Sequence, residues 1–245
     1  MKAVKSERLR ARLEELSVRG GLPRPHWRYL RWLKRKTRFE PKVVYDIGAC
    51  VLHWTHSVKE LWPDAEVILF DAFEPAGFMY EGYRHWVGVL SDEDGRSVDF
   101  YQNNHYPAGN SYYREFAGTK GDLFPVGTHH VRVARTLDAV VREHGFPPPD
   151  LVKIDVQGAE RDVIAGGRET IAAAQRLIVE LQYEARNDGA PMAGDTLPWI
   201  EAQGWRCDAP LFSDNGGDGD YGFFRADLAA RWPDRTFVDR RSEKP

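Results

Sequence analysis

Short apolar runs that close on small or acidic residues, each followed by a helical pattern, constrain this chain more than anything else in it. VVYDI (43–47), EVILF (66–70), DLVKIDV (150–156) and RLIVEL (176–181) are apolar almost throughout, as strands covered on both faces of a parallel sheet are. WVGVL (86–90) reads as a third strand in chain order and 97–103 alternates as a further one. Short strands near 205–208 and 221–225 finish the chain. Between them Trp54, Val58 and Leu61 repeat at helical spacing up to Pro63, and 137–144, 159–173 and 196–203 read as helices. The stretch 104–128, with Pro107, Pro125 and four glycines, reads as a long loop. Alternating strands and helices predict an α/β layered fold with a largely parallel sheet. Such sheets take ligands beyond the carboxyl ends of their strands, where strand order reverses. Function is therefore expected just after residues 47, 70, 90, 155 and 180.

The first 39 residues differ from the rest. They carry thirteen Lys and Arg against three Glu, a net of +10, whereas residues 40–245 carry a net of −13. Gly20, Gly21, Pro23 and Pro25 separate two helical stretches, 3–18 and 26–36. Leu9, Leu13 and Leu16, then Trp27, Leu30 and Leu33, recur at helical spacing, so the segment is expected to be a basic helical arm docked on an acidic body. A basic arm could instead contact nucleic acid or an anionic membrane. At 42% hydrophobic, the 245 residues suit one globular domain (40–245) plus this arm. No apolar run approaches the roughly 18 residues that span a bilayer, and the N-terminus lacks a signal-peptide core. Cys50 and Cys207 are too few for a disulfide framework or a cysteine zinc cage. A cytoplasmic protein is expected.

DIGA (46–49) is the strongest local signal. Gly48 can adopt backbone angles closed to other residues, and the helix that follows offers free N–H groups to an anion. Asp71, at the end of the next strand, supplies the carboxylate that accepts ribose hydroxyls in nucleotide sites of this plan, with Glu74 nearby. GDGDYG (217–222) satisfies a glycine-rich phosphate pattern, but it precedes a strand and carries two acids, so a turn is expected there. P-loop, HExxH and GxSxG patterns are absent from the sequence. His129 and His130 point in different directions on either a strand or a helix and are read as surface residues.

The segment PKVVYDIGACVLHWTHSVKELWPDAEVILFDAFEP (41–75) resembles the opening of the FkbM-type family of S-adenosylmethionine-dependent methyltransferases. The likeness continues through VLSDEDG (89–95), RTLDAV (135–140), LVKIDVQGAERDVIAGG (151–167) and LIVELQYEARNDGAP (177–191), in the family's order. The preceding LRWLKRKTRFEPK resembles a lead-in helix of part of the family. The resemblance implies a Rossmann-like class I methyltransferase fold, with a mostly parallel seven-stranded sheet and helices on both faces. It also implies S-adenosylmethionine as cofactor. Asp46 and the 48–54 turn (Gly48, Ala49, Cys50, His53 and Trp54) would hold its amino-acid end. Asp71, followed by Ala72, would take the ribose, Leu90, Ser91 and Asp92 would flank the adenine, and Asp155 would lie near the sulfonium. One departure stands out: Leu52 fills the place of the second glycine in a turn of the form GAxxG. Its side chain is expected to crowd the methionine portion or push the loop outward. The competing reading is therefore a degenerate binding protein that keeps the fold without the reaction.

Methyl transfer to a hydroxyl needs in-line positioning and a base. The candidates are Asp155 and Glu180 at strand ends, and His105 and His53 from loops. Loop 104–128, with Asn110, Ser111, Tyr112, Tyr113, Arg114 and Phe116, is expected to form an acceptor lid. The expected acceptor is a hydroxyl of a secondary metabolite or saccharide. A nucleic-acid acceptor is disfavoured by the acidic body and by DVQG standing where an NPPY-like motif would follow the KID strand. No metal is assigned, because Asp155, Glu180, Asp218 and Asp220 lack a ligand spacing. The arm is a candidate surface for a homo-oligomer.

Overall fold

A computed structural model describes residues 2–19, 21–116, 121–232 and 236–238, and in it the four apolar runs lie side by side at the centre of one sheet. They are β1 (Val43–Ile47), β2 (Glu66–Asp71), β7 (Leu151–Ile154) and β8 (Arg176–Gln182). With β3 (Arg84–Val87), β9 (Trp205–Asp214) and β10 (Asp218–Arg225), the order across the sheet is β3-β2-β1-β7-β8-β10-β9. The first five are parallel, while β10 runs antiparallel to both β8 and β9. Strand order reverses between β1 and β7, so their carboxyl ends open a crevice there.

The alternation within each run divides the core in two. Val44, Val67, Leu69 and Ile178 pack towards α1 (Lys2–Arg19), α2 (Arg24–Lys36) and α3 (His53–Leu61). Tyr45, Ile47, Ile68, Phe70, Val152 and Ile154 face α4 (Leu137–His144), α5 (Glu160–Gly166), α6 (Arg168–Ala173) and α7 (Ala193–Glu201). Helices cover both faces, as a sheet of continuous apolar runs requires. No described helix is long and apolar enough to cross a membrane.

Several elements differ from the sequence expectation. WVGVL is not one strand. It divides at Gly88 into β3 and β4 (Val89–Leu90), because the chain turns where the Trp86 ring folds back to within 2.5 Å of where a Cβ on Gly88 would stand. β4 joins a second sheet of order β4-β6-β5, with β5 (Ser97–Tyr101) and β6 (His129–Arg135). β6 escapes the sequence reading because Val131 and Val133 face outward, at 68% and 65% exposure. The helix expected over 159–173 breaks at Gly167 into α5 and α6. GDGDYG is mostly strand: the turn sits at Gly216 and Gly217, and Asp220 pairs across β10 with Glu180.

Helix α2 is fastened to the sheet by a buried polar knot. The Tyr29 hydroxyl donates to Asp208 at 3.1 Å, and the same carboxylate pairs with Arg176, itself 1% exposed, whose guanidinium lies 4.5 Å from the centre of the Trp232 ring. Leu30 and Leu33 of α2 are fully buried beside Leu13 of α1. Removing one partner of a buried ion pair leaves a desolvated charge and costs about 3–5 kcal/mol, whereas losing one hydrogen bond to a charged group costs about 1.5–3 kcal/mol. Asp208→Ala is therefore expected to lose about 3–5 kcal/mol in urea unfolding and Tyr29→Phe about 1.5–3 kcal/mol. Equal losses in the two variants would contradict the central role of the ion pair.

Candidate active site

A cavity of about 420 Å³ opens beyond the carboxyl ends of β1, β2, β7 and β8. This lies within the range of small-molecule sites. Its floor is set by Gly48, whose φ of +83° turns the chain out of β1. A Cβ there would stand 1.7 Å from the Asp155 carbonyl oxygen, so glycine lets the ends of β1 and β7 meet. Beneath the turn, the Lys153 ammonium lies 3.0 Å from the Gly48 carbonyl, 3.4 Å from Asp46 and 3.2 Å from Asp155. Burial works against this ammonium, but Asp155 and Asp46 outweigh it and hold the lysine charged. Asp46 is fully buried, accepts from the Thr55 hydroxyl at 2.5 Å, and lies behind the cavity wall, outside its lining.

At one end, the Asp71 carboxylate accepts from the Cys50 N–H at 2.6 Å and the Phe73 N–H at 2.7 Å, which fixes it at the tip of β2. Burial raises its pKa despite these two bonds. Ala49, Cys50, His53, Trp54, Ala72 and Leu90 line this end with it. Burial pushes the Cys50 thiol far up, so it is no nucleophile. Ser91 and Asp92 do not line the cavity: the Ser91 hydroxyl donates to Asp92, which pairs with Arg96 at 2.7 Å behind the strand end.

Leu52 corrects the expectation of a crowded or displaced turn. It keeps a left-handed backbone, φ +69° and ψ +15°, the conformation a glycine would take there. Its side chain is 4% exposed, packs into the core beside Trp54 and Val58, and lies outside the cavity lining. The leucine therefore strains the backbone, at about 1–2 kcal/mol, and leaves the cavity clear.

At the other end Asp155 and Glu180 meet. The Gln157 side-chain amide donates to Asp155 at 2.8 Å and to Glu180 at 2.6 Å, and Asn215 donates to Glu180 at 3.0 Å. Burial, then the charges of Asp155 and Asp220, push Glu180 well above the carboxylate range. Burial also opposes the Asp155 anion, but Lys153 and the hydrogen bonds from Glu180 and Gln157 outweigh it and hold that carboxyl low. Of the two, Asp155 keeps its charge to lower pH and Glu180 is the first to take up a proton. His105 is exposed and outside the lining, and the His53 Nε2–H donates to the Leu16 carbonyl at 2.7 Å.

Other lining residues were given no role by the sequence. His26 of α2 lies 2.7 Å from Asp220 of β10, both side chains 6% exposed, and Arg186 pairs with Asp218 at 3.1 Å. Lys153 and Gln157 stand inside the KIDVQGAE block and were legible there, whereas His26 belongs to no block. His26 Nδ1, Trp54 Nε1 and Asn110 Nδ2 are buried with no hydrogen-bond partner, and all three residues line the cavity. Orphaned polar atoms of this kind call for a ligand or bound water. Among the described residues, no three His, Cys, Asp or Glu come together to hold a metal ion.

Two measurements check this geometry. Because Leu52 is both left-handed and buried, Leu52→Gly should unfold at higher urea than Leu52→Ala, by about 1 kcal/mol, reversing the usual order of the two residues. Glu160 accepts from the Val156 and Gly158 N–H groups at 2.9 and 3.0 Å, and burial outweighs those bonds to push its pKa from 4.5 to about 7. The folded chain therefore keeps a proton that the unfolded chain releases over this window. Stability is expected to fall by about 3 kcal/mol as pH rises from about 4.5 to 7, and Glu160→Gln should flatten that segment of the curve.

The family model described as the methyltransferase FkbM domain matches residues 46–207. A stretch of 70 residues is 40% identical to the 2-O-methyltransferase NoeI of Sinorhizobium fredii (strain NBRC 101917 / NGR234), covering 27% of this chain and 29% of that protein. The match thus spans under a third of the length of that curated relative. Among solved structures, the O-methyltransferase TomG of Streptomyces achromogenes, in complex with SAM, has a TM-score of 0.45 at 12% identity, over 84% of this chain and 81% of its own. The magnesium protoporphyrin IX methyltransferase ChlM of Synechocystis PCC 6803, with bound SAM, has a TM-score of 0.45 at 12% identity, over 82% and 80%. The family match spans more than half of the chain and takes in all four strand ends that build the cavity: this chain belongs to the methyltransferase FkbM domain family.

Proposed function

We propose that this chain transfers the methyl group of S-adenosylmethionine to a hydroxyl oxygen of a small molecule or saccharide. The observation that carries the reading is one cavity with a backbone-fixed Asp71 at one end and the Gln157-bridged Asp155–Glu180 pair at the other. The cofactor supplies an electrophilic methyl group on a cationic sulfur. The residues present fit such a group. Asp71 has lone pairs left for ribose hydroxyls, and Ala72, Val89 and Leu90 give an apolar wall for a base. The first N–H groups of α3, from His53 onward, suit a carboxylate, since Leu52 gives that helix no side-chain cap. Asp155 sets its negative charge where a cation would bind, and Glu180 orients rather than accepts a proton while it stays protonated.

Asp46, Ser91 and Asp92 support this site from behind, through Lys153 and Arg96. The far end suits a polyhydroxylated acceptor. Gln157, Asn187, Asn215 and Arg186 present amides and a guanidinium there, and Tyr106 and Asn110 of the 104–116 stretch border it as the acceptor lid, while Tyr112 of the same stretch packs at the other end beside Ala72 and Val89. The partial match to a 2-O-methyltransferase supports oxygen as the methylated atom.

Calorimetric titration with S-adenosylmethionine and S-adenosylhomocysteine tests the reading. Both are expected to bind one per chain, and Asp71→Asn is expected to weaken both at least about tenfold, since a charge-assisted hydrogen bond contributes about 1.5–3 kcal/mol. Absence of binding by the wild-type chain would overturn the reading.

A further inference from the structure

We propose that His26, oriented by Asp220, is the group that takes the proton from the acceptor hydroxyl. The inference rests on the methyl-transfer reading above and assigns it a base that lies outside the family match of residues 46–207 on both sides.

The other candidates are spoken for. Asp155 is tied to Lys153 and held low, so it is a weak base, and both Glu180 oxygens already accept hydrogen bonds, one from Gln157 and one from Asn215. His53 also lines the cavity, but its Nε2–H is on the neutral Leu16 carbonyl, which does not stabilise an imidazolium as a carboxylate does, and His105 faces solvent outside the cavity. His26 differs from all four. It lines the cavity, is 5% exposed, and has one ring nitrogen engaged by a carboxylate and the other without a partner. Its Nε2 stands 2.7 Å from Asp220, and the carboxylate accepts, so Nε2 bears the hydrogen and the unpartnered Nδ1 bears the lone pair. Phe212 stands edge-on to the ring at a centroid distance of 4.9 Å and an interplanar angle of 72°, which fixes its plane. Asp220 lies directly across β10 from Glu180, so the dyad adjoins the end of the cavity where Asp155 and Glu180 meet.

The step balances. The hydroxyl oxygen forms the new carbon–oxygen bond as the methyl–sulfur bond breaks. That bonding pair stays on sulfur, and the hydroxyl proton passes to His26 Nδ1. Asp220 stabilises the resulting imidazolium, as a carboxylate does for a histidine base in acyl transfer. The proton then returns to solvent after product leaves.

The test uses the full chain. Histidine-selective ¹⁵N NMR of the wild type is expected to show His26 as the Nε2–H tautomer with a bare Nδ1, and Asp220→Asn is expected to lose that preference. An Nδ1–H tautomer in the wild type would overturn the proposal. Turnover is followed as S-adenosylhomocysteine released with methyl glycosides as probe acceptors. His26→Gln and His26→Ala are expected to lower kcat at least about 100-fold, with cofactor affinity and acceptor KM within about threefold. Added imidazole should restore part of the rate to His26→Ala alone, which a purely structural role would not allow. A kcat within about threefold of wild type in His26→Gln would also overturn the proposal. Where glycoside turnover is too slow to follow, the tautomer decides. Loss of wild-type cofactor binding would sink the underlying reading, whereas binding with the wrong tautomer would sink the His26 role alone.

Discussion

The Lys153 ammonium holds the carboxyl ends of the two central strands together. It sits between Asp46 of β1 and Asp155 beyond β7 and reaches the carbonyl of the Gly48 turn as well. Two carboxylates this close, with Asp46 fully buried, would repel each other and the low dielectric around them without a cation between. Through that cation, a buried position that never reaches the cavity fixes two that do. It also tunes the neighbouring pair: its charge holds the Asp155 carboxyl low, while Glu180, pushed up by burial and by Asp155, is the easier of the two to protonate. The Rossmann-like sheet supplies the crevice, and this one ammonium sets its electrostatics.

Much of this was legible in the chain itself. Runs covered on both faces read as unbroken apolar stretches, so β1, β2, β7 and β8 emerged within a residue or two of their observed ends. The strand-end rule then named Gly48, Asp71, Leu90, Asp155 and Glu180, which all reach the cavity. What failed has a physical cause in each case. β6 turns its valines to solvent and so lacks the inward apolar signal. Asp46 and Ser91 stand at the right strand ends, but side chains alternate in direction, and both point into the body of the protein. His26 could not be found at all, because its partner Asp220 lies near the far end of the chain and only the folded sheet brings them together.

Leu52 shows how a side chain and a backbone can be judged separately. A glycine position demands a conformation, and a leucine can adopt it if the buried side chain returns more than the strain takes. Cys50 and Gln157 are left-handed too, at φ +46° and +57°, so three non-glycine residues around one cavity hold backbone angles that few side chains accept. Surrounding structure must over-determine such angles. Here the Asp71 carboxylate grips the Cys50 N–H, and Gln157 spans the Asp155–Glu180 pair.

The walls of the cavity come from separate stretches of chain: 21–26 before the family segment, the segment itself, and 215–220 after it. The two outlying stretches meet each other, since His26 of one bonds to Asp220 of the other. A substitution in either is therefore felt by its counterpart across most of the sequence, and the chamber is a joint product of lengths of polypeptide that share nothing until the sheet has formed.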